Sequence, residues 1–198
     1  MRFCCGIDEA GRGPLAGPVF AAAVILGARG ARIPGIDDSK KLSASRRHQL
    51  ALQIKSEAQA WAIASASSEE VDTLNILQAT LLAMFRAIEQ LPPASMTDII
   101  IDGTQIPRDL RPWAEARQIF VEARPRADAD VREVGAASIL AKTARDAYML
   151  SLHEQFPQYD FASHKGYGTA SHMAALAEHG PCPEHRRSFS PVAQWRLL

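Results

Sequence analysis

Residues 6–18 read Gly6-Ile7-Asp8-Glu9-Ala10-Gly11-Arg12-Gly13-Pro14-Leu15-Ala16-Gly17-Pro18 and follow a short apolar run. Two adjacent carboxylates, Asp8 and Glu9, therefore stand at the start of a glycine-rich loop. They repel each other, and holding both charges in a partly dry site is costly unless a cation neutralises them. Carboxylate oxygens favour a hard divalent ion. The glycines let a bulky ligand approach the backbone, and Arg12 offers a fork suited to phosphate. The pattern indicates metal-assisted phosphodiester chemistry.

The loop also allows two other interpretations. Residues 11–16 fit the G-x-G-x-x-A form of the dinucleotide fingerprint, and acidic Asp37 lies downstream. A dinucleotide loop opens a helix, however, whereas Pro18 is followed by the apolar run 19–26, which predicts a second strand. The other alternative is an ordinary hairpin with two solvated acids.

Composition sets the broad class of the chain. A length of 198 residues suits one domain, residues 1–198, of which about 153–198 form a C-terminal helical and loop extension. Lys plus Arg and Asp plus Glu both total 22, so any nucleic-acid surface must be a local patch. Three cysteines, two of them adjacent, make a poor disulfide framework and favour a reducing compartment. With neither a secretory core nor a membrane span in the sequence, we expect a cytoplasmic protein without a membrane partner.

Hydrophobic periodicity predicts an α/β fold with a central mixed β-sheet flanked by helices. Ser67 and Glu70 fit a capping box that opens one long helix, whose apolar residues recur at helical spacing up to Pro92. The predicted strands are 2–8, 19–26, 61–66, 98–103 and 118–122, and the other predicted helices are 43–58 and 133–152.

Asp102 ends an apolar strand in the same way as Asp8 does. If the two strands are neighbours, Asp8, Glu9 and Asp102 converge into an oxygen-only cluster suited to Mg²⁺ or Mn²⁺ rather than zinc. Asp128 is a candidate fourth ligand. Taken alone, Asp102 also fits a turn-capping acid and Asp128 a solvated loop acid.

Five of the six histidines fall in the last 46 residues. The sequence has no cysteine pair and no tight ligand spacing there, so surface or hydrogen-bonding roles are favoured over a zinc site.

Several motifs, taken together and in this order, resemble the bacterial ribonuclease HII family. The resemblance covers nearly the whole chain. The matching stretches are residues 6–14 (GIDEAGRGP), 38–42 (DSKKL), 74–80 (LNILQAT), 101–103 (IDG), 136–142 (AASILAK), 157–159 (PQY), 164–169 (HKGYGT) and 185–189 (HRRSF).

The resemblance implies an RNase H-like fold in which Asp8, Glu9, Asp102 and Asp128 are the four catalytic and metal-binding acids. One segment departs from the family pattern. The family usually has Lys-Gly-Asp where this chain has Arg126-Ala127-Asp128, and Asp130 lies close by. The fourth acid is therefore either Asp128 or Asp130, with Asp128 the closer counterpart.

The resemblance also implies that the backbone of Gly11, Arg12 and Gly13, together with Tyr167, recognises a ribonucleotide at its junction with DNA. The 2′-hydroxyl, which donates and accepts hydrogen bonds, distinguishes RNA from DNA. Without the resemblance, Tyr167 would be read as a packing aromatic. Phosphate contacts are predicted for the basic residues in matching motifs: Lys40, Lys41, Lys142, Lys165 and Arg186.

The predicted function is an endoribonuclease that cuts 5′ of ribonucleotides in RNA–DNA hybrids and in duplex DNA containing embedded ribonucleotides. One metal ion would activate water and a second would stabilise the leaving oxygen, leaving 3′-hydroxyl and 5′-phosphate ends. The alternatives are a ribonuclease HIII-like nuclease and a nucleic-acid-binding protein that lacks catalysis. We expect a monomer.

Overall fold

The structure is a computed structural model that describes residues 3–36, 39 and 41–197, with the backbone alone for 196 and 197. Lys40, a predicted phosphate contact, lies outside the described residues, and so does Asp37 of the dinucleotide interpretation.

One five-stranded mixed sheet forms the centre of the fold, in the order β3-β2-β1-β4-β5. Its strands are β1 (Cys4–Ala10), β2 (Val19–Ile25), β3 (Ala60–Ala66), β4 (Asp98–Asp102) and β5 (Phe120–Arg124). Strands β1, β2 and β3 pair antiparallel, whereas β4 is parallel to both β1 and β5. The predicted mixed sheet is confirmed, and the strand after Pro18 contradicts the dinucleotide interpretation.

The helices are α1 (Gly27–Gly30), α2 (Ala44–Glu57), α3 (Ser68–Leu74), α4 (Ile76–Glu89), α5 (Leu110–Glu115), α6 (Ala127–Asp130), α7 (Arg132–Gln155), α8 (Phe161–His164), α9 (Ala170–His179) and α10 (Ser190–Ala193). Short 3-10 turns lie at Pro93–Ser95, Pro157–Tyr159 and Gln194–Leu197.

Each face of the sheet carries its own apolar core. Helix α4 packs on one face, against Ile7 of β1 and Ile101 of β4. Helices α2 and α7 cover the other face, where Val24 of β2 packs with Ile139. Helix α7 crosses β1 at Gly6, where an added Cβ would lie 2.1 Å from the backbone carbon of Glu133. A glycine is thus required there for the close approach of helix and strand.

The single long helix predicted after residue 67 is wrong, because Asn75 divides it into α3 and α4. Asn75 has φ 72°, outside the helical region, and its side chain accepts a hydrogen bond from the amide of Gln78 to cap α4. Asparagine tolerates positive φ better than most residues, so it ends one helix and begins the next. The predicted capping box of Ser67 and Glu70 is confirmed.

The C-terminal segment packs on the glycine loop through a third apolar cluster. Leu15 and Ala16 of the loop lie there with Met149, Phe161 and Leu176. This segment contains the short helices α8 to α10, in agreement with the predicted helical extension. No helix in the described ranges is long and apolar enough to cross a membrane.

Candidate active site

Three acids lie close together where β4 ends beside β1. The parallel register pairs Ile7 with Ile101. The next residue on each strand is an acid, so Asp8 and Asp102 are neighbours across the sheet, and Glu9 follows Asp8. The two strands are neighbours, which is the condition on which the predicted convergence of these acids depended.

The two adjacent acids sit in a strained electrostatic environment. Asp8 is only 5 % exposed. Burial raises its pKa well above the ordinary value, and the charges of Glu9 and Asp102 raise it further. Burial likewise raises the pKa of Glu9, which the nearby Arg12 guanidinium opposes and Asp102 reinforces. Arg12 Nη1 lies 3.5 Å from Glu9 Oε1.

Two serines support Asp8 from the α7 side of the sheet, and sequence reasoning assigned neither of them a role. The hydroxyl of Ser138 in α7 faces the carboxylate of Asp8 and opposes the rise of its pKa. Ser39 Oγ lies 2.8 Å from Ser138 Oγ, and both residues are buried. The Asp8 carboxylate also accepts a hydrogen bond of 2.7 Å from the Glu9 amide at its Oδ1.

Asp102 connects the acid pair to the segment that carries the fourth predicted acid. Its Oδ1 accepts a hydrogen bond of 2.8 Å from the amide of Ala127, the first residue of α6. Asp128 follows and is only 8 % exposed, whereas Asp130 is exposed. Of the two candidates for the fourth acid, Asp128 is the buried one, and it directly follows Ala127, whose amide donates to Asp102.

The donors at this edge of the sheet fit a hard divalent cation. All of them are carboxylate oxygens, and the pKa values of Asp8 and Glu9 are raised because burial disfavours their charged forms and neighbouring carboxylates repel them. A bound cation would offset that repulsion. In the described part of the chain, no three His, Cys, Asp or Glu side chains are grouped closely enough to hold a metal ion as they stand.

The glycine loop and Tyr167 border a cleft of about 220 Å³ beside the acids. Glu9, Gly11, Arg12 and Gly13 lie along it, and Tyr167 stands at its edge with 47 % of its surface exposed. A Cβ added to Gly13 would lie 3.5 Å from Tyr167 Cε1. The residues predicted to read the ribonucleotide are therefore together. A second cleft, about 170 Å³, runs from Glu9 and Arg12 past Asp102 to α4.

The predicted phosphate contacts are placed unevenly around this site. Lys142 lines the cleft, with its Nζ 2.6 Å from Asp146 Oδ1. Lys165 directs its ammonium to the carbonyl of Ala162 and is partly buried, and Lys41 is exposed.

Comparison with known proteins settles the family. The ribonuclease HII family profile matches residues 5–192. The chain belongs to the ribonuclease HII family. Curated ribonuclease HII proteins match it at 55 % identity in Bordetella avium (94 % of this chain, 88 % of that protein) and 55 % in Methylibium petroleiphilum (97 % and 92 %).

Solved structures agree with the RNase H-like fold. Ribonuclease H2 from Pyrococcus horikoshii OT3 matches with a TM-score of 0.79 at 24 % identity, over 97 % of this chain and 96 % of that one. A PCNA:RNase HII complex from Archaeoglobus fulgidus matches with a TM-score of 0.73 at 28 % identity, over 98 % and 94 %. As a ribonuclease HII family member, the chain is a ribonuclease H endonuclease and hence a hydrolase.

One predicted phosphate contact of this ribonuclease HII family member is wrong. Arg186 is 0 % exposed, so a phosphate on the surface cannot reach it. Its guanidinium instead donates to four loop carbonyls, those of Gly11 (2.6 Å), Arg12 (3.0 Å), Pro14 (2.8 Å) and Gly17 (2.9 Å). A second buried arginine missed by sequence reasoning, Arg145, donates to the carbonyls of Ala16 (3.2 Å) and Lys165 (3.0 Å).

Three of the C-terminal histidines are buried and hydrogen-bonded. This is the kind of role that the sequence favoured over a zinc site. His172 Nδ1 lies 2.9 Å from the carbonyl of Tyr167, and His172 Nε2 lies 2.9 Å from His185 Nε2. His164 Nε2 lies 2.7 Å from the carbonyl of Tyr159. The group lies under the segment that carries Tyr167.

Proposed function

We propose that this chain hydrolyses the phosphodiester on the 5′ side of a ribonucleotide, both in RNA–DNA hybrids and in duplex DNA with embedded ribonucleotides. The products carry 3′-hydroxyl and 5′-phosphate ends. The observation that carries the proposal is the meeting of Asp8, Glu9 and Asp102 beside the cleft that the glycine loop and Tyr167 border.

Asp8, Glu9, Asp102 and Asp128 hold divalent metal, Mn²⁺ or Mg²⁺, against the scissile phosphate in this proposal. When bound there, such ions supply positive charge that activates water and stabilises the leaving oxygen. A solved ribonuclease HIII at 18 % identity is described as a complex with Mn²⁺. The chain's own acids support the assignment, because their mutual repulsion is relieved when a cation binds.

The other side chains at the edge of the sheet orient these acids. The Ser138 hydroxyl stabilises the Asp8 carboxylate and is hydrogen-bonded to Ser39, while the Glu9 amide donates to Asp8 Oδ1 at 2.7 Å. Arg12 is paired with Glu9 at 3.5 Å while half of its own side chain stays exposed. Arg12 can therefore turn to a substrate phosphate when a cation replaces it as the partner of Glu9.

In this proposal, the ribonucleotide is recognised in the cleft. The amides of the glycine loop hydrogen-bond the 2′-hydroxyl, and the Tyr167 ring packs on the sugar. Backbone donors suit this task because they are fixed in place, so a missing hydroxyl leaves them unpaired. Lys41, Lys142, Lys165 and Lys40 contact phosphates along the duplex and supply affinity without sequence preference.

We also propose that residues 1–198 act as one catalytic domain. The third apolar cluster supports this, since it joins the C-terminal segment to the glycine loop. A monomeric state and a cytoplasmic location stay predictions from the sequence.

The test is cleavage of an RNA–DNA hybrid by the purified chain, with Mn²⁺, with Mg²⁺ and with a chelator. We expect cutting with either ion and none with the chelator. Asp102→Asn should be inactive while the exposed Asp109→Asn keeps wild-type rates. Full activity of Asp102→Asn, or cutting in the chelator, would remove the acid cluster from the reaction.

A further inference from the structure

Arg186 binds the carbonyl side of the glycine loop from inside the protein. Its guanidinium donates hydrogen bonds to the carbonyl oxygens of Gly11 and Arg12. The N–H groups of the same two peptide units are those of Arg12 and Gly13. In a trans peptide, the carbonyl and the following N–H point in opposite directions. Binding both carbonyls on the buried side therefore turns both amides to the opposite side.

The opposite side of the loop is the cleft. Gly11, Arg12 and Gly13 line it, with Tyr167 across from Gly13. Neither the Arg12 amide nor the Gly13 amide donates a backbone hydrogen bond to another described residue. These two donors are thus aimed into the cleft and left open for a ligand.

The same geometry can be checked two residues further on. Arg186 also takes the carbonyl of Pro14, and the next amide, that of Leu15, donates to the carbonyl of Gly166 at 2.8 Å. Here the turned amide has an acceptor within the protein. The contrast shows that, unlike the Leu15 amide, the Arg12 and Gly13 amides have no backbone acceptor among the described residues.

The position of Arg186 is itself fixed on both sides. Its own amide donates to the carbonyl of Leu15 at 2.8 Å, and Asp72 of α3 accepts the amides of Arg187 and Ser188, each at 2.8 Å. Its guanidinium also lies over the Phe189 ring, 5.1 Å from the centroid. A buried guanidinium held this firmly can impose a fixed direction on the loop.

We infer that Arg186 is a positioning residue for ribonucleotide selection: it holds the Gly11 and Arg12 carbonyls so that the Arg12 and Gly13 amides face the 2′-hydroxyl. The inference rests on the proposed function, and it explains why a buried arginine occupies this position. Lysine cannot replace it, because a single ammonium group with three donors cannot reach the four carbonyls that the planar guanidinium binds.

The direct test measures binding rather than cleavage. Two duplexes, one with a single ribonucleotide and one entirely DNA, are titrated with the protein in chelator by fluorescence polarisation. Wild type should prefer the first. Arg186→Lys should reduce that preference by about tenfold, since one or two net hydrogen bonds correspond to roughly that factor. Arg187→Lys, the same substitution at an exposed neighbour, should keep the preference.

The outcomes separate this inference from the function on which it rests. If Arg186→Lys weakened binding of both duplexes equally, Arg186 would be merely structural and the inference overturned. If wild type itself showed no preference, the proposed reading of the 2′-hydroxyl would fail instead.

Should Arg186→Lys not fold, amide hydrogen exchange on the wild type gives the answer. In the free protein, the Arg12 and Gly13 amides should exchange much faster than the Leu15 amide, and both should slow with the ribonucleotide duplex but not with all-DNA duplex. Protection of the two amides in the free protein would contradict the inference.

Discussion

His172 and His185 form one hydrogen bond between their Nε2 atoms, which lie 2.9 Å apart. The Cys182 amide donates to His185 Nδ1 at 3.0 Å, so the ring proton of His185 is on Nε2 and points to His172. His172 therefore accepts on Nε2 and donates from Nδ1 to the Tyr167 carbonyl. Both rings are neutral, and together they anchor the backbone of the residue that borders the cleft.

This pair predicts acid sensitivity. Burial, together with the nearby His172, lowers the pKa of His185 to about 4 from an ordinary value of 6.5, and burial also lowers the pKa of His172. The unfolded chain therefore binds more protons than the folded one as pH falls below about 6.5. The stability that the neutral histidines contribute is complete above that pH and is lost progressively towards pH 4, by roughly 3 kcal/mol for His185 alone.

Urea unfolding at several pH values measures this loss. His185→Gln should show a shallower decline between pH 6.5 and 4.5, whereas His48→Gln, at an exposed site on α2, should decline as wild type does. An unchanged pH slope in His185→Gln would rule out the neutral pair.

The acid cluster predicts opposite effects of one substitution with and without metal. Asp102→Asn keeps an oxygen to accept the Ala127 amide but removes a charge that raises the pKa values of Asp8 and Glu9. In chelator, its melting temperature should equal or exceed that of wild type. Mn²⁺ should stabilise wild type, by about 2.7 kcal/mol at a hundred times the dissociation constant, and Asp102→Asn much less. Equal stabilisation of both proteins by Mn²⁺ would argue against this site.

Much of the site follows from local patterns. An apolar run that ends in an acid predicted both β1 with Asp8 and β4 with Asp102, because a strand's end and the following loop are encoded by adjacent residues. The break at Asn75 was hidden by apolar residues at helical spacing on both sides of it. The residue's own ability to adopt positive φ, with Gln78 three positions later, was the available signal.

Arg186 could not be placed in the same way. Its partners at Gly11 and Arg12 lie 175 and 174 residues away along the chain, and a basic residue near other basic residues suggests a surface patch. Burial of a guanidinium against carbonyls depends on the folded packing of loop and C-terminal segment. Periodicity carries no information about such contacts. Helices α5 and α6 were also absent from the sequence prediction, since four to six residues are too few to show a period.

The choice between the two candidate acids yields a further prediction. Asp128 is buried beside the residue that Asp102 holds, and Asp130 is exposed two positions later. At saturating Mn²⁺, Asp128→Ala should lose at least about tenfold more activity than Asp130→Ala. The reverse order would make Asp130 the fourth acid.

The loop glycines differ in what they tolerate. Gly11 has φ 100°, and a Cβ there would lie 2.1 Å from Arg145 Nε, so Gly11→Ala combines strain with a clash. It should lower the free energy of unfolding by about 2–5 kcal/mol. Gly13→Ala meets only an ordinary contact with Tyr167 and should change stability by less than about 1 kcal/mol. Equal losses in chemical denaturation would contradict the described loop.

The central claim is that these acids cut where the cleft finds a 2′-hydroxyl. The most direct measurement maps the cut in an end-labelled DNA duplex that carries one ribonucleotide, beside the identical all-DNA duplex, with Mn²⁺. We expect one cut, 5′ of the ribonucleotide, with 3′-hydroxyl and 5′-phosphate ends, no cut in all-DNA duplex, and a marked loss in Tyr167→Ala. Comparable cutting of the all-DNA duplex, or a full rate in Tyr167→Ala, would contradict the account.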